Sequence, residues 1–173
     1  MDEITPDQEI DLRGEVCPYT FVKTMTDSPP ERLILTREQA AQIEAHARSE
    51  YPHEACGLLG GRNGKVESVY PLPNAERSST RYLADPEAQL QAMLEIEDRG
   101  WDIVAIYHSH PSSPPYPSDT DRKMASYPEA LYLIVSLVEQ RRPVLRAFHI
   151  QEGKSREVEV SVSDEVAVIA RLE

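Results

Sequence analysis

Positive charge is what this sequence has least of. Its 173 residues carry 18 Lys and Arg against 30 Asp and Glu, a formal net charge of −12. Non-specific nucleic-acid binding needs cations to neutralise phosphates, so that balance argues against it and suits a protein or peptide partner. Cysteine is almost missing: Cys17 and Cys56 stand far apart, and no disulfide is expected. No apolar run approaches the ~20 residues that span a bilayer. The chain opens on Met1-Asp2-Glu3-Ile4, with neither a basic start nor an apolar stretch, so no secretory signal is expected and the cytoplasm is the expected location. Internal repeats and low-complexity tracts are also lacking. What is present is a 40% hydrophobic content, enough for one domain with a real core and not comfortably for two.

Residues 1–31 differ from the rest. Eight acidic residues against two basic ones supply half of the net charge, and Asp27-Ser28-Pro29-Pro30-Glu31 reads as a linker. Within this extension lies Ile10-Asp11-Leu12-Arg13-Gly14-Glu15-Val16-Cys17-Pro18-Tyr19-Thr20. It resembles the opening of the TusA/SirA sulfur-transfer family, over about residues 10–24. The resemblance implies a persulfide-forming cysteine at a helix N-terminus, where the helix dipole lowers a thiol pKa. Thr20 stands where that family has a second proline, and the rest of its fold has no counterpart here. The segment therefore reads either as an acidic relic or docking tail, or as a tail whose Cys17 carries sulfur or reaches the metal site described next.

From residue 32 the pattern becomes that of a folded domain running to residue 173. Residues 32–35 are apolar and extended. Thr36 and Gln39 form a capping box for a helix to about Glu50, ended by Tyr51-Pro52, with Ala40, Ile43 and Ala47 on its apolar face. The Ala55-Cys56-Gly57-Leu58-Leu59 run predicts a buried strand and Val66–Tyr70 its partner, around a turn at Arg62-Asn63-Gly64-Lys65. Asp85 caps a second helix that opens on Pro86, carries Leu90, Met93 and Leu94 on one face, and stops at Arg99-Gly100. The apolar run from Trp101 to Tyr107 predicts a strand buried on both faces, with Asp102, Val104, Ile106, His108 and His110 sharing one side. A short helix over 118–126 follows, then strands at 130–137 and 143–150. The Glu/Val alternation of 157–162 predicts a half-exposed edge strand.

The chemistry concentrates in Tyr107-His108-Ser109-His110-Pro111 and Ser118-Asp119-Thr120-Asp121. Side chains at i and i+2 on a strand point to one face, so His108 and His110 aim two imidazoles at one point. Asp121 supplies a carboxylate eleven residues after His110. Two nitrogens, one oxygen and a fourth position left for water are the ligand set of a catalytic rather than a structural zinc. Ser118 and Asp121 also form a Ser-x-x-Asp helix cap, and that cap can itself position Asp121. Cys56 reads as a small core residue, and His46, His53 and His149 as non-catalytic.

His108-Ser109-His110-Pro111, six residues, Ser118, two residues and Asp121, with Glu54 upstream before Cys56-Gly57-Leu58-Leu59, resembles the JAMM/MPN+ metalloprotease family across residues 32–160. The resemblance implies an α/β fold, a mixed β-sheet flanked by helices of the JAB-like, cytidine-deaminase-like type. It implies Zn²⁺ held by His108, His110 and Asp121, Glu54 as general base, and Ser118 as oxyanion donor. The compact prokaryotic branch implies cleavage after the C-terminal Gly-Gly of a ubiquitin-fold or sulfur-carrier protein, its tail added as a strand beside the site. The alternative from another class is a non-catalytic MPN-type scaffold. A further relative, associated with DNA repair, shares a similar His-x-His-Pro motif, but this chain lacks its helical N-terminal region and its charge disfavours DNA.

Overall fold

The computed structural model describes residues 29–164. Cys17, the TusA-like segment and the last nine residues lie outside that range.

Strand β1 (Arg32–Thr36) hands the chain to helix α1 (Arg37–Glu50) at Thr36. The predicted capping box forms: the Thr36 hydroxyl accepts from the Gln39 N–H at 3.1 Å, and the Gln39 side chain accepts from the Thr36 N–H at 2.9 Å. Ala40, Ile43 and Ala47 are the buried face, as their spacing predicts. Strands β2 (Cys56–Arg62) and β3 (Lys65–Leu72) form an antiparallel hairpin. Its turn needs two consecutive left-handed residues, and Asn63 and Gly64 provide them at φ 51° and 77°. Helix α2 (Pro86–Asp98), strand β4 (Asp102–His110), helix α3 (Asp119–Met124) and strands β5 (Leu131–Ser136), β6 (Val144–Gln151) and β7 (Lys154–Ser163) complete the described chain. No helix among the described residues is long and apolar enough to cross a membrane.

The sheet is mixed and closes into a barrel in the order β1-β3-β2-β4-β5-β6-β7. Closure corrects the expectation of an edge strand at 157–162. The alternation is real, with Val158 buried between exposed Glu157 and Glu159. Yet β7 is paired on both sides, antiparallel to β6 and parallel to β1. Alternation reports which face is wet, not whether the strand's edges are paired.

A second correction concerns α2. Leu90 and Leu94 stay 40% and 42% exposed, Met93 is partly buried, and Ala92 and Ile96 make the buried face. The small Ala92 lets the helix approach the sheet, and Ile96 fits where Gly60 has no side chain. A Cβ on Gly60 would lie 2.9 Å from Ile96 Cγ1. Packing fit, rather than residue size, chose the face.

A third correction concerns β4. Leu59 pairs with Ala105 but Gly60 pairs with Ile103, so Val104 is an extra residue that bulges the strand. The bulge moves Val104 to the side of Ala105 and Tyr107 in the main core, while Ile103 and Ile106 pack with α2 on the other side. Asp102 and Val104 therefore do not share the histidines' face as regular alternation predicts. Beyond the bulge the alternation holds, and both faces of the C-terminal half are buried. Tyr107 crosses over Gly57, where an added Cβ would sit 2.3 Å from its ring, and its hydroxyl bonds His46 Nδ1 at 2.8 Å. That bond ties α1 to the strand carrying the histidines.

Candidate metal and catalytic site

At the C-terminal end of β4, His108 and His110 point to one side and Ser109 to the other. All three are buried. The two imidazole Nε2 atoms face each other at 3.1 Å. Helix α3 brings in Asp121, with Oδ1 3.2 Å from His108 Nε2 and Oδ2 3.2 Å from His110 Nε2. Ser118 caps that helix: its hydroxyl accepts from the Asp121 N–H at 3.0 Å, and its own N–H donates to Asp121 Oδ2 at 2.8 Å. The same capping box that starts the helix fixes the Asp121 carboxylate toward the histidines.

The donor set fits a small tetrahedral cation. Bonds of ~2.0–2.1 Å to a tetrahedral zinc put its ligand atoms roughly 3.3–3.4 Å apart. Here the two imidazole nitrogens lie 3.1 Å apart, and each has its own Asp121 oxygen at 3.2 Å, Oδ1 for His108 and Oδ2 for His110, so one ligand atom from each residue falls within 4.8 Å of the others. Protonation makes the same point. His110 Nδ1 faces the Pro114 carbonyl at 2.8 Å, and a carbonyl only accepts, so Nδ1 carries the hydrogen. In a neutral ring, Nε2 then presents a lone pair to the Asp121 carboxylate and to His108, and a proton or a cation must sit between them. Burial holds His108 toward its neutral form, against the pull of Asp121. Burial also opposes charging of His110, but Asp121 and the Pro114 carbonyl outweigh it and raise its pKa. Asp121 sits well below the usual carboxylate range: burial pushes it up, and hydrogen bonding to His108 and His110 more than offsets that. These three residues are the group able to hold a metal among the described residues.

Glu54 comes from the residues just before β2 and is 3% exposed. Burial raises its pKa to about 7, with His110 pulling it down and Asp121 pushing it up. Its Oε2 has no hydrogen-bond partner. It is not one of the three clustered donors. A buried carboxylate with a free oxygen, electrostatically coupled to the cluster but outside it, has the chemistry to accept or release a proton near neutral pH. Its backbone is pinned: the Glu54 N–H donates to the Ser78 carbonyl at 2.7 Å, and the Glu54 carbonyl accepts from Asn74 Nδ2 at 3.0 Å. On the next residue, the Ala55 N–H donates to Ser109 Oγ at 2.8 Å and the Ala55 carbonyl accepts from the Ser109 N–H at 2.9 Å.

Three residues of this site were not singled out by sequence. Ser109 ties the Glu54 segment to the histidine strand from the opposite face of β4, a place that alternation alone gives it. Tyr82 stacks on His108 with ring centroids 4.7 Å apart and planes 21° apart. Asn74 is buried in a polar stretch with no periodic signal. Cys56, expected in the core, is there: it packs against α2, and burial pushes its thiol up to about 12. His46 serves Tyr107, and His149 Nε2 meets the Pro128 carbonyl at 3.1 Å.

The barrel-closed mixed sheet, its His-x-His strand end facing a capped aspartate, goes with a family match over residues 36–151: the chain is a member of the prokaryotic homologues of the JAB domain. Among its relatives is the CysO-cysteine peptidase of Mycobacterium tuberculosis, 39% identical over 135 residues that cover 77% of this chain and 92% of that protein. The probable TtuB-protein conjugate cleaving protease of Thermus thermophilus is 41% identical over 123 residues, covering 70% of this chain and 78% of the other. A solved structure of a Desulfitobacterium hafniense protein superposes with a TM-score of 0.71 at 40% identity, covering 78% of this chain and 95% of that one. A JAB1/MPN domain protein from Archaeoglobus fulgidus shares the fold at 20% identity and a TM-score of 0.50, covering 75% and 97%.

Proposed function

We propose that this chain is a zinc-dependent peptidase or isopeptidase that cleaves after the C-terminal Gly-Gly of a ubiquitin-fold or sulfur-carrier protein. The observation that carries the reading is the pairing of a three-donor cluster with a separate buried glutamate that has one oxygen free. Relatives named as a CysO-cysteine peptidase and a TtuB-conjugate protease support the substrate class.

In this reading His108, His110 and Asp121 hold the ion. Zinc bound there supplies a Lewis acid that acidifies water and polarises the scissile carbonyl. Glu54 takes the proton of the attacking water and delivers it to the departing amine as the C–N bond breaks. Its burial keeps the accepting oxygen out of competition with bulk water. The Ser118 oxygen accepts from the Asp121 N–H. Its own hydrogen is left to donate to the carbonyl oxygen as that oxygen gains charge.

The test is incubation of the zinc-loaded chain with ubiquitin-fold proteins extended beyond Gly-Gly, read by intact mass with and without chelator. Cleavage after the second glycine, abolished by chelator and restored by zinc, is the expected result. A purified chain without zinc that binds such proteins but never cuts them would instead establish the scaffold alternative.

A further inference from the structure

Asn74 lies between β3 and α2, 7% exposed, and its side chain makes all the hydrogen bonds that an amide of this size offers here. The oxygen accepts from the Glu76 N–H at 3.1 Å and from the Leu83 N–H at 3.0 Å. The nitrogen donates to the Glu54 carbonyl at 3.0 Å and to the Arg81 carbonyl at 3.1 Å. The network fixes which end is which: a flipped amide would set its oxygen against two carbonyls and its NH₂ against two N–H groups.

The identity of those partners gives the node its meaning. Arg81 and Leu83 flank Tyr82, so Asn74 grips the peptide groups on both sides of the ring that stacks on His108. Its remaining donor bond goes to the backbone of Glu54. Around it the segment closes on itself, with the Ala75 N–H donating to the Leu83 carbonyl at 2.7 Å and the Asp85 N–H to the Pro73 carbonyl at 2.9 Å. From within the same segment, the Ser78 carbonyl takes the Glu54 N–H. We infer that Asn74 is a positioning residue for the reaction: it sets the carboxylate of Glu54 and the face of His108 at a fixed separation by holding the backbones of Glu54 and Tyr82 in one rigid unit. The inference rests on the proposed roles of Glu54 and His108. A node of this kind matters because displacing a base by ~1 Å costs on the order of 100-fold in rate.

Asn74→Asp keeps the volume and both acceptor bonds but removes the bonds to Glu54 and Arg81. Asn74→Ser keeps one hydroxyl donor. Used side by side, either one decides if the other fails to fold. The full zinc-loaded chain is expected to retain zinc in both variants, because Asn74 touches none of the three donors. Per zinc-loaded molecule, kcat should fall about 10- to 100-fold with KM within about threefold of the parent. Two readouts do not need turnover. Amide hydrogen exchange at Glu54 should accelerate at least about tenfold as its segment loosens. The visible spectrum of the cobalt-substituted chain should shift as Tyr82 leaves His108. An unchanged kcat with only a lowered melting temperature, or a change confined to KM, would overturn the assignment. So would an Glu54 amide as protected as in the parent, whether or not any carrier is cleaved. A parent chain that cleaves no carrier overturns the functional reading instead, and leaves the exchange and cobalt results to judge Asn74.

Discussion

Two loops close on the end of β4, and they do it in opposite ways. The proline-rich loop at 111–117 works locally. It leaves His110, returns the Pro114 carbonyl to His110 Nδ1, and delivers Ser118 and Asp121 within eleven residues. The segment at 73–85 works over long range. Its Asn74 and Ser78 hold the backbone of Glu54, twenty and twenty-four positions upstream, and its Tyr82 covers His108 twenty-six positions before that histidine appears. One loop brings the Asp121 carboxylate to the two imidazoles, and the other fixes the backbone of Glu54 and covers one face of His108. On the proposed roles, holding an ion and using it are tasks of separate parts of the chain.

The largest effects should separate those two tasks. Asp121→Ala removes a donor from the proline-loop side. Zinc content should drop well below that of the parent and turnover should vanish, as measured by metal analysis and by intact mass of the substrate. Glu54→Gln acts on the other side. Zinc should stay at the parent level while kcat falls roughly 10²- to 10⁴-fold. A Glu54→Gln chain that still turns over would remove Glu54 from the chemistry and leave the second loop without a catalytic task.

The two carboxylates also predict opposite pH dependence of stability in the chelator-treated chain. Glu54 has its pKa raised from 4.5 to about 7 by burial, so the folded state binds its proton more tightly than the unfolded state. That stability is fully present below pH 4.5 and is lost as pH rises through about 7. The loss is on the order of 3 kcal/mol, since each pKa unit is worth about 1.4 kcal/mol. Asp121 is depressed, so its contribution is present above its ordinary value of 3.8 and is lost only as pH falls below that. Denaturant midpoints between pH 4.5 and 7 should therefore decline for the parent and stay flatter for Glu54→Gln. Equal slopes would mean that Glu54 titrates normally.

How much of this was legible in the sequence follows the same division. His108, His110, Ser118 and Asp121 are bound together by short, fixed spacings, and a strand period of two with a three-residue cap is enough to converge them. Glu54 needed the resemblance to a family, because no local period links it to the histidines. Asn74 and Tyr82 had no signal at all: a buried asparagine in a polar stretch reads like any loop residue until its four partners are seen. The errors in the fold are also long-range. The bulge at Val104, the closure of β7 onto β1 and the choice of Ala92 and Ile96 over Leu90 and Leu94 each depend on what another element presents. Intrinsic pattern fixes the elements, and partner surfaces fix their faces and edges.

A smaller effect lies within the proline-loop side. Ser118→Ala removes the proposed oxyanion donor and the helix cap together, and kcat should fall about 10²-fold. Ser118→Asn keeps a capping acceptor. If zinc content and melting temperature recover in Ser118→Asn while kcat does not, the two roles of Ser118 are separable. If kcat recovers as well, the hydroxyl matters only as a cap.

The smallest effects compare the two loops through their aromatic anchors. Tyr116 fastens the proline-rich loop to β6, 6.1 Å from the Phe148 ring and with the Arg146 guanidinium 5.4 Å from its own. It is 51% exposed, so its contacts are worth about 1 kcal/mol and Tyr116→Ala should cost a few-fold in kcat. Tyr82 lies directly on a proposed ligand, and Tyr82→Ala should cost more, about tenfold. Neither ring touches the other's partners, so the double variant should show the product of the two losses, with a coupling within about 0.5 kcal/mol. A coupling well above that would mean that each loop senses the other through the histidine pair. Donor delivery and base placement would then be one mechanical unit rather than two.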